Sequence, residues 1–77
     1  MKKIIGIKYI KEELSEKGYH VEFSNRNRTL LIEKCDFSFL VDKKEERFDL
    51  SIFHQDELVS MYLGITGFEV LKKVEIY

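Results

Sequence analysis

Four residues of the types that bind metals or act as nucleophiles occur in the middle of this chain: His20, Cys35, Asp36 and His54. Structural zinc sites usually take paired Cys or His ligands two to four residues apart, and no such pair occurs here. Nucleophilic catalysis would need Cys35 beside a histidine that accepts its proton. Cys35 instead ends a strand-like segment, far from the helix N-termini that stabilise thiolates. We therefore predict no metal, no cofactor and no catalytic residue, and interpret Cys35 as a small buried hydrophobe.

The remaining composition also argues against an enzyme. The four glycines are isolated from one another, so the chain has no Gly-rich loop that would cradle a phosphate or an oxyanion. A chain of 77 residues also has little depth for an enclosed pocket. The sequence predicts a protein without enzymatic activity.

The most suggestive polar stretch is Asn25-Arg26-Asn27-Arg28, between two segments that alternate like strands. Asparagine tolerates the left-handed conformation that tight turns require, so the stretch predicts a hairpin tip. Arg26 and Arg28 on such a tip could hold phosphates or the carboxylates of a partner in fork geometry. A simple solvated loop explains the same residues, which keeps nucleic-acid binding as an alternative function.

The elements that position these residues centre on the segment 37–53. Phe37, Phe39 and Val41 alternate with polar or outward residues, and the alternation resumes after the charged tip 42–46. A period of two gives a strand one apolar face and one wetter face. We predict two antiparallel strands here, at the centre of a small sheet.

Before this hairpin, apolar residues at Ile7, Ile10 and Leu14 predict a helix over 7–17 that ends at Gly18. Alternation then predicts strands over 19–24 and 29–35. Leu31 in the second of these strands, and Leu40 in the first strand of the central hairpin, fall on the face opposite the core. Two leucines on the outer face indicate that the second helix or a partner covers part of it.

After the hairpin, the acidic start of segment 54–67 and its apolar residues at helical spacing predict a short second helix. Segment 68–77 alternates and carries Val and Ile, which favours a final strand. A helix with Val70, Val74 and Tyr77 on one side is the alternative for this segment. The predicted fold is an α+β two-layer domain of order α-β-β-β-β-α-β, with an N-terminal helix, a short second helix and a sheet of four to five antiparallel strands.

Length and composition set the remaining expectations. The 77 residues are enough for one domain only, residues 1–77. The net charge of -1 is too small to indicate nucleic acid, a membrane or any other class of partner. The longest apolar run is far shorter than the roughly 20 residues of a membrane span, so we expect no membrane association. A single cysteine and no recognisable signal peptide favour the cytoplasm. The absence of alanine beside many Lys and Ile follows AT-rich codons, which indicates a low-GC bacterium or its phage or mobile element.

By elimination, these observations predict a small protein-binding module, an adaptor or inhibitor. Its partner would be another protein, or a second copy joined through an exposed edge strand. Tyrosine is enriched at protein interfaces, which adds two tyrosines to the candidates. The predicted binding residues are Arg26, Arg28, Leu31, Leu40, Tyr62 and Tyr77.

Overall fold

The computed structural model describes residues 5–77, which form two helices and five strands. Their order is α-β-β-β-β-β-α, so the predicted α+β class and the number of strands are confirmed, whereas the predicted order of the last two elements is wrong. The elements are α1 (Ile7–Glu16), β1 (His20–Ser24), β2 (Thr29–Lys34), β3 (Phe37–Lys44), β4 (Arg47–His54), β5 (Glu57–Ile65) and α2 (Gly67–Ile76).

The five strands form one antiparallel meander, in which each strand pairs with its neighbours in the chain. Two-residue turns join the last four strands, and each of these turns contains a residue in the left-handed region: Cys35, Glu45 or Gln55. In the last turn Gln55 and Asp56 are both left-handed, as a type I′ hairpin turn requires. None of these turns contains glycine, which explains why the chain turns where its sequence gives little sign of it.

The core lies between one face of the sheet, here called the inner face, and the two helices. Alternate residues of β2, β3 and β4 are almost completely inaccessible to solvent, as the period of two predicts. Both helices pack on this same face, and they also contact each other. The core residues with at most 1% exposure are Ile10, Leu14, Leu30, Ile32, Phe39, Val41, Phe48, Leu50, Ile52, Val70 and Val74.

Helix α1 forms where its apolar spacing predicts, and it buries Ile7, Ile10 and Leu14. Gly18 follows it with φ of +92°, a value that an L side chain rarely adopts. The Gly18 N–H donates to the Ser15 carbonyl, and the Tyr19 N–H donates to the Leu14 carbonyl, which ends the helix as predicted.

Residues 57–65 form strand β5, and the prediction of a helix over 54–67 is wrong. Two irregularities in the pairing of β4 with β5 explain the error. Between Leu58 and Ser60, and again between Tyr62 and Ile65, β5 carries an additional residue opposite β4. Each insertion lengthens the local spacing of same-face residues from two to three, which imitates a helical period.

Residues 67–76 form helix α2, so the final strand predicted over 68–77 is wrong and the alternative helix is correct. The helix buries Val70 and Val74, as the helical alternative predicted. Its start is fixed by a capping box, in which the Glu69 N–H donates to the Thr66 hydroxyl and the Thr66 N–H donates to the Glu69 carboxylate. The Thr-x-x-Glu pattern was the available sequence signal for this helix start.

The C-terminal end of α2 is attached to the rest of the molecule by two lysines. The Lys34 ammonium on β2 donates to the Val74 and Glu75 carbonyls, at 2.8 and 2.9 Å. A cation at this position complements the negative end of the helix dipole. Lys17, just after α1, forms an ion pair with Glu75. These contacts hold both helices on the inner face.

Candidate protein-interaction surface

The sheet's other face, here called the outer face, carries no helix among residues 5–77. The second helix lies on the inner face, so the expectation that it covers Leu31 and Leu40 is wrong. Leu31 is 39% exposed and Leu40 is partly exposed. Of the two explanations offered for the outward leucines, the second helix of this chain is excluded, and a partner stays a prediction.

Four further apolar residues share the outer face with these leucines, and the exposed fractions of the β5 members are 52% for Leu58, 53% for Met61 and 69% for Leu63. Single exposed leucines are ordinary, but a contiguous group on one uncovered face is uncommon in monomeric proteins. We call this group the outer patch: Leu31, Leu40, Phe53, Leu58, Met61 and Leu63.

The strand register places five members of the outer patch beside one another, and Leu63 follows two residues after Met61 on β5. Leu31 is the Cα partner of Leu40, Leu40 of Ser51, and Ser51 of Met61, so one row crosses four strands. Phe53 is paired with Leu58 in the next outer position along β4. Neighbouring strands are about 4.8 Å apart, so side chains in one row are close enough to contact a single partner.

Acidic residues border the outer patch. Glu33 on β2 is paired with His20 on β1, and Glu22 is paired with Leu31. The His20 Nε2 lies 3.3 Å from a Glu22 carboxylate oxygen and 4.0 Å from one of Glu33. All three side chains are exposed. They form a polar margin on the β1 side of the patch.

A second acidic margin lies where β3 and β4 approach their shared turn. Asp42 and Asp49 are Cα partners, so two carboxylates stand directly opposite each other. The Thr29 hydroxyl donates to Asp42 at 2.7 Å, and the Gly64 N–H donates to Asp49 at 3.0 Å. These donors stabilise a pair that would otherwise repel. Arg47 provides a positive charge nearby and donates to the Gly64 carbonyl at 3.1 Å.

The edge strands of the sheet are β1 and β5. Strand β5 is interrupted by its two bulges, and Gly64 within the second has φ of +64°. Its N–H and carbonyl groups are both bonded to side chains of β4. Bulges and occupied backbone groups are devices that protect an edge from pairing with another chain. The outer face is therefore a better docking surface than the β5 edge.

The predicted tyrosines lie on the helix side of the molecule. Tyr62 is paired with Leu50 on the inner face and is partly buried, with the Lys73 ammonium 4.4 Å from its ring centroid. Tyr77 donates from its hydroxyl to Ser60 at 3.2 Å. The hydrogen bond with Tyr77 raises the pKa of Tyr62 above its ordinary value. The two tyrosines lie together, away from Leu31 and Leu40.

The predicted arginines lie together at a third place, the β1–β2 hairpin tip. Arg26 and Arg28 are both exposed, and Asn25, Arg26 and Asn27 all have left-handed φ angles. The Lys43 N–H donates to the Arg28 carbonyl at 2.9 Å, which brings the β3–β4 hairpin beside this tip. An open depression of about 780 Å³ lies there, lined by Ile7, Asn27, Arg28, Lys43, Lys44 and Glu45.

The residues considered for metal or nucleophilic chemistry do not form a site. His20 lies on the outer face, whereas the His54 ring packs against Phe37 on the inner face, with centroids 4.7 Å apart. Cys35 is exposed in the β2–β3 turn, so its interpretation as a buried hydrophobe is wrong. Within residues 5–77, no group of three or more His, Cys, Asp or Glu side chains could hold a metal ion.

No protein-family model matches this chain, and neither the curated proteins nor the solved structures compared with it include a similar one. Among residues 5–77, neither helix has the length and apolar character needed to cross a membrane.

The sequence singled out two residues of the outer patch, Leu31 and Leu40. The β5 members were missed because the segment 57–65 was assigned to a helix. Phe53 could have been predicted as a third outer residue. It follows the inward residue Ile52 in β4, so the period of two places it on the outer face.

Proposed function

We propose that this protein is a non-enzymatic protein-binding module, an adaptor or inhibitor, that binds its partner through the outer patch. The observation that supports the proposal is an uncovered sheet face on which five apolar side chains lie in register across β2 to β5, with Leu63 two residues beyond Met61 on β5. Exposed apolar groups of this kind mark interaction sites in soluble proteins. We propose the cytoplasm as its setting because its single cysteine suits a reducing compartment. The absence of alanine beside many Lys and Ile supports an origin in a low-GC bacterium, its phage or a mobile element.

The first experiment is a pull-down from low-GC bacterial lysate with the tagged protein, in the presence of nuclease, read by mass spectrometry. The test variant is Met61→Lys/Leu63→Lys, which places two charges in the outer patch. The matched control is Phe68→Lys/Ile76→Lys, which makes the same chemical change at exposed apolar residues of α2. Circular dichroism of each variant checks that it is folded.

We expect one protein to be captured by the wild type and by the α2 control, and lost with the outer-patch variant. Capture that survives Met61→Lys/Leu63→Lys would contradict binding through this face. Sedimentation equilibrium tests the alternative partner predicted from the sequence, a second copy of the chain joined at an edge strand. A monomer at tens of micromolar would remove that alternative.

The second candidate function is nucleic-acid binding by the basic hairpin tips. It is favoured by the backbone hydrogen bond from Lys43 to Arg28, which holds two hairpins side by side. Arg28, Lys43 and Lys44 line the same depression. Cations grouped in this way can contact successive phosphates of a nucleic-acid backbone.

A gel-shift titration at low salt with single- and double-stranded DNA and RNA tests this second candidate. If phosphates are bound, affinity should fall steeply with salt, and Arg26→Ala/Arg28→Ala should weaken binding and flatten the salt dependence. Lys72→Ala, at an exposed lysine on α2, is the control. No shift at low salt, or equal shifts for both variants, would exclude the candidate.

A further inference from the structure

Backbone geometry limits what can cover the outer patch. A partner strand would pair with an edge of the sheet and leave this face uncovered, and the β5 edge beside the patch is bulged at two points with Gly64 bonded to Asp49 and Arg47. A helix satisfies its own backbone hydrogen bonds, so it needs only an apolar surface. The inner face of this sheet already packs two helices through side chains alone, without backbone pairing. The outer face is suited to the same kind of occupant.

The size of the patch fits a short helix. Along β5, the outer-patch residues run from Leu58 to Leu63. Leu58 is paired with Phe53 and Tyr62 with Leu50, so the run spans about four residues of β4, or about 13 Å. Two to three turns of an α-helix cover about 11–16 Å. Phe53 and Leu40 widen the surface toward β4 and β3, which gives a helix an apolar stripe to contact rather than a single row.

The charge around the patch selects among helices. Four carboxylates border it. Two of them, Asp42 and Asp49, lie one outer position from Lys44 and Arg47, which are Cα partners and balance their charge. The net negative charge therefore comes from Glu22 and Glu33 on the β1 side, beside His20. Like charges brought together at an interface cost binding energy, and opposite charges favour it. The bordering carboxylates are Glu22, Glu33, Asp42 and Asp49.

The same charge disfavours the other occupants of an apolar face. A second copy would present an outer face of the same net negative charge, and an anionic membrane surface would be repelled. We propose that the outer patch binds a cationic amphipathic helix of another protein, with apolar residues at i, i+3, i+4 and i+7 and Lys or Arg at its sides. This inference rests on the proposed function and specifies its partner.

The test uses two labelled model peptides of 14 residues with identical leucine positions. One carries lysine at the remaining positions and the other carries glutamate. Fluorescence anisotropy with the full chain measures both affinities, at low peptide concentration so that the peptides stay monomeric. We expect the Leu/Lys peptide to bind at least tenfold more tightly than the Leu/Glu peptide, and Met61→Lys/Leu63→Lys to abolish this binding.

Charge-reversal variants show whether affinity for the Leu/Lys peptide depends on the carboxylates beside the patch or on the net charge of the protein. Glu22→Lys/Glu33→Lys reverses one margin of the patch, whereas Glu12→Lys/Glu16→Lys makes the same change on exposed positions of α1. We expect about a tenfold loss of Leu/Lys affinity for the first and less than about threefold for the second, because exposed charge pairs act at short range. Equal losses for both pairs would show that attraction depends only on net charge, which overturns the proposal.

The remaining outcomes distinguish this inference from the proposed function. Equal binding of both peptides, or no binding of either, overturns the cationic helix. The proposed function then still stands if the lysate partner is lost with Met61→Lys/Leu63→Lys. Sedimentation that finds a dimer in the wild type and a monomer in that variant would assign the patch to a second copy, and would overturn the inference in favour of self-association.

Discussion

The two faces of this sheet use the same strands and similar residues, yet they differ sharply in exposure. On the inner face, Phe39 and Leu50 are at most 1% exposed beneath the two helices. On the outer face, Met61 is 53% exposed, although it lies only one strand from Leu50. The difference is the presence of a covering layer. Between residues 5 and 77, helices cover only the inner face, and the apolar residues of the outer face are exposed to solvent or partly exposed.

The largest expected effect separates the faces by stability. Phe39→Ala should lower the free energy of unfolding by about 3–5 kcal/mol, because it removes a buried ring and leaves a cavity. Met61→Ala should change it by less than about 0.5 kcal/mol, since the side chain is half exposed. Urea denaturation followed by circular dichroism measures both. A cost for Met61→Ala close to that of Phe39→Ala would show that the outer patch is already covered in solution.

If Phe39→Ala does not fold at all, Ile52→Val provides a milder version of the same test. Ile52 lies in the same buried row, and the loss of one methyl group there should cost about 0.5–1.5 kcal/mol. A negligible effect would contradict the description of the inner face as closely packed.

The second prediction concerns Asp42 and its hydrogen-bond donor Thr29, at the border of the outer face near the β3–β4 turn. Thr29 is only 6% exposed and donates to Asp42. Thr29→Val should cost about 1–2 kcal/mol, because it keeps the shape of the side chain but removes a hydrogen bond to a carboxylate. Thr29→Ser, which retains the hydroxyl, should cost less. Equal costs in urea denaturation would show that packing, not the bond to Asp42, makes Thr29 important.

The third prediction tests how the covering layer of the inner face is held. Thr66→Ala removes the side-chain cap of α2 and should cost about 1 kcal/mol. Thr66→Ser keeps the capping oxygen and should be close to the wild type. Helix α1 has Gly6 at its N-cap and no side-chain cap, so Gly6→Ala should have only a small effect. A larger cost at Gly6 than at Thr66 in thermal denaturation would contradict the importance of the capping box.

The sequence was sufficient for the parts of the fold whose period is regular. Helix α1, the strands up to β4 and the outward direction of Leu31 and Leu40 all follow from spacing. The last 24 residues could not be assigned in the same way. Turns without glycine concealed the β4–β5 hairpin, and bulges changed the spacing in β5. In α2, Val70 and Val74 are four residues apart, a spacing that places both on one face of a strand or of a helix. Only the capping box at Thr66 distinguished the helix from the strand.

For the candidate site, the sequence identified single residues but not their grouping. Leu31 and Leu40 were expected on the outer face. Leu58, Met61 and Leu63 could be placed beside them only when residues 57–65 proved to be a strand paired with β4. A surface of this kind depends on register between strands, which residues of one strand do not specify.

The smallest expected effect is a pH dependence located in the layer that covers the inner face. Hydrogen bonds from the Thr66 backbone and hydroxyl hold the pKa of Glu69 below its ordinary value of 4.5. The stability contributed by a carboxyl with a lowered folded-state pKa is present above its unfolded-state pKa, and it is lost as the pH falls through the folded-state value. Glu69→Gln should therefore reduce the loss of stability below about pH 4.5. Thermal denaturation between pH 3 and 7 measures the difference. Identical pH profiles for Glu69→Gln and the wild type would contradict a contribution of the capping box to the acid sensitivity of this protein.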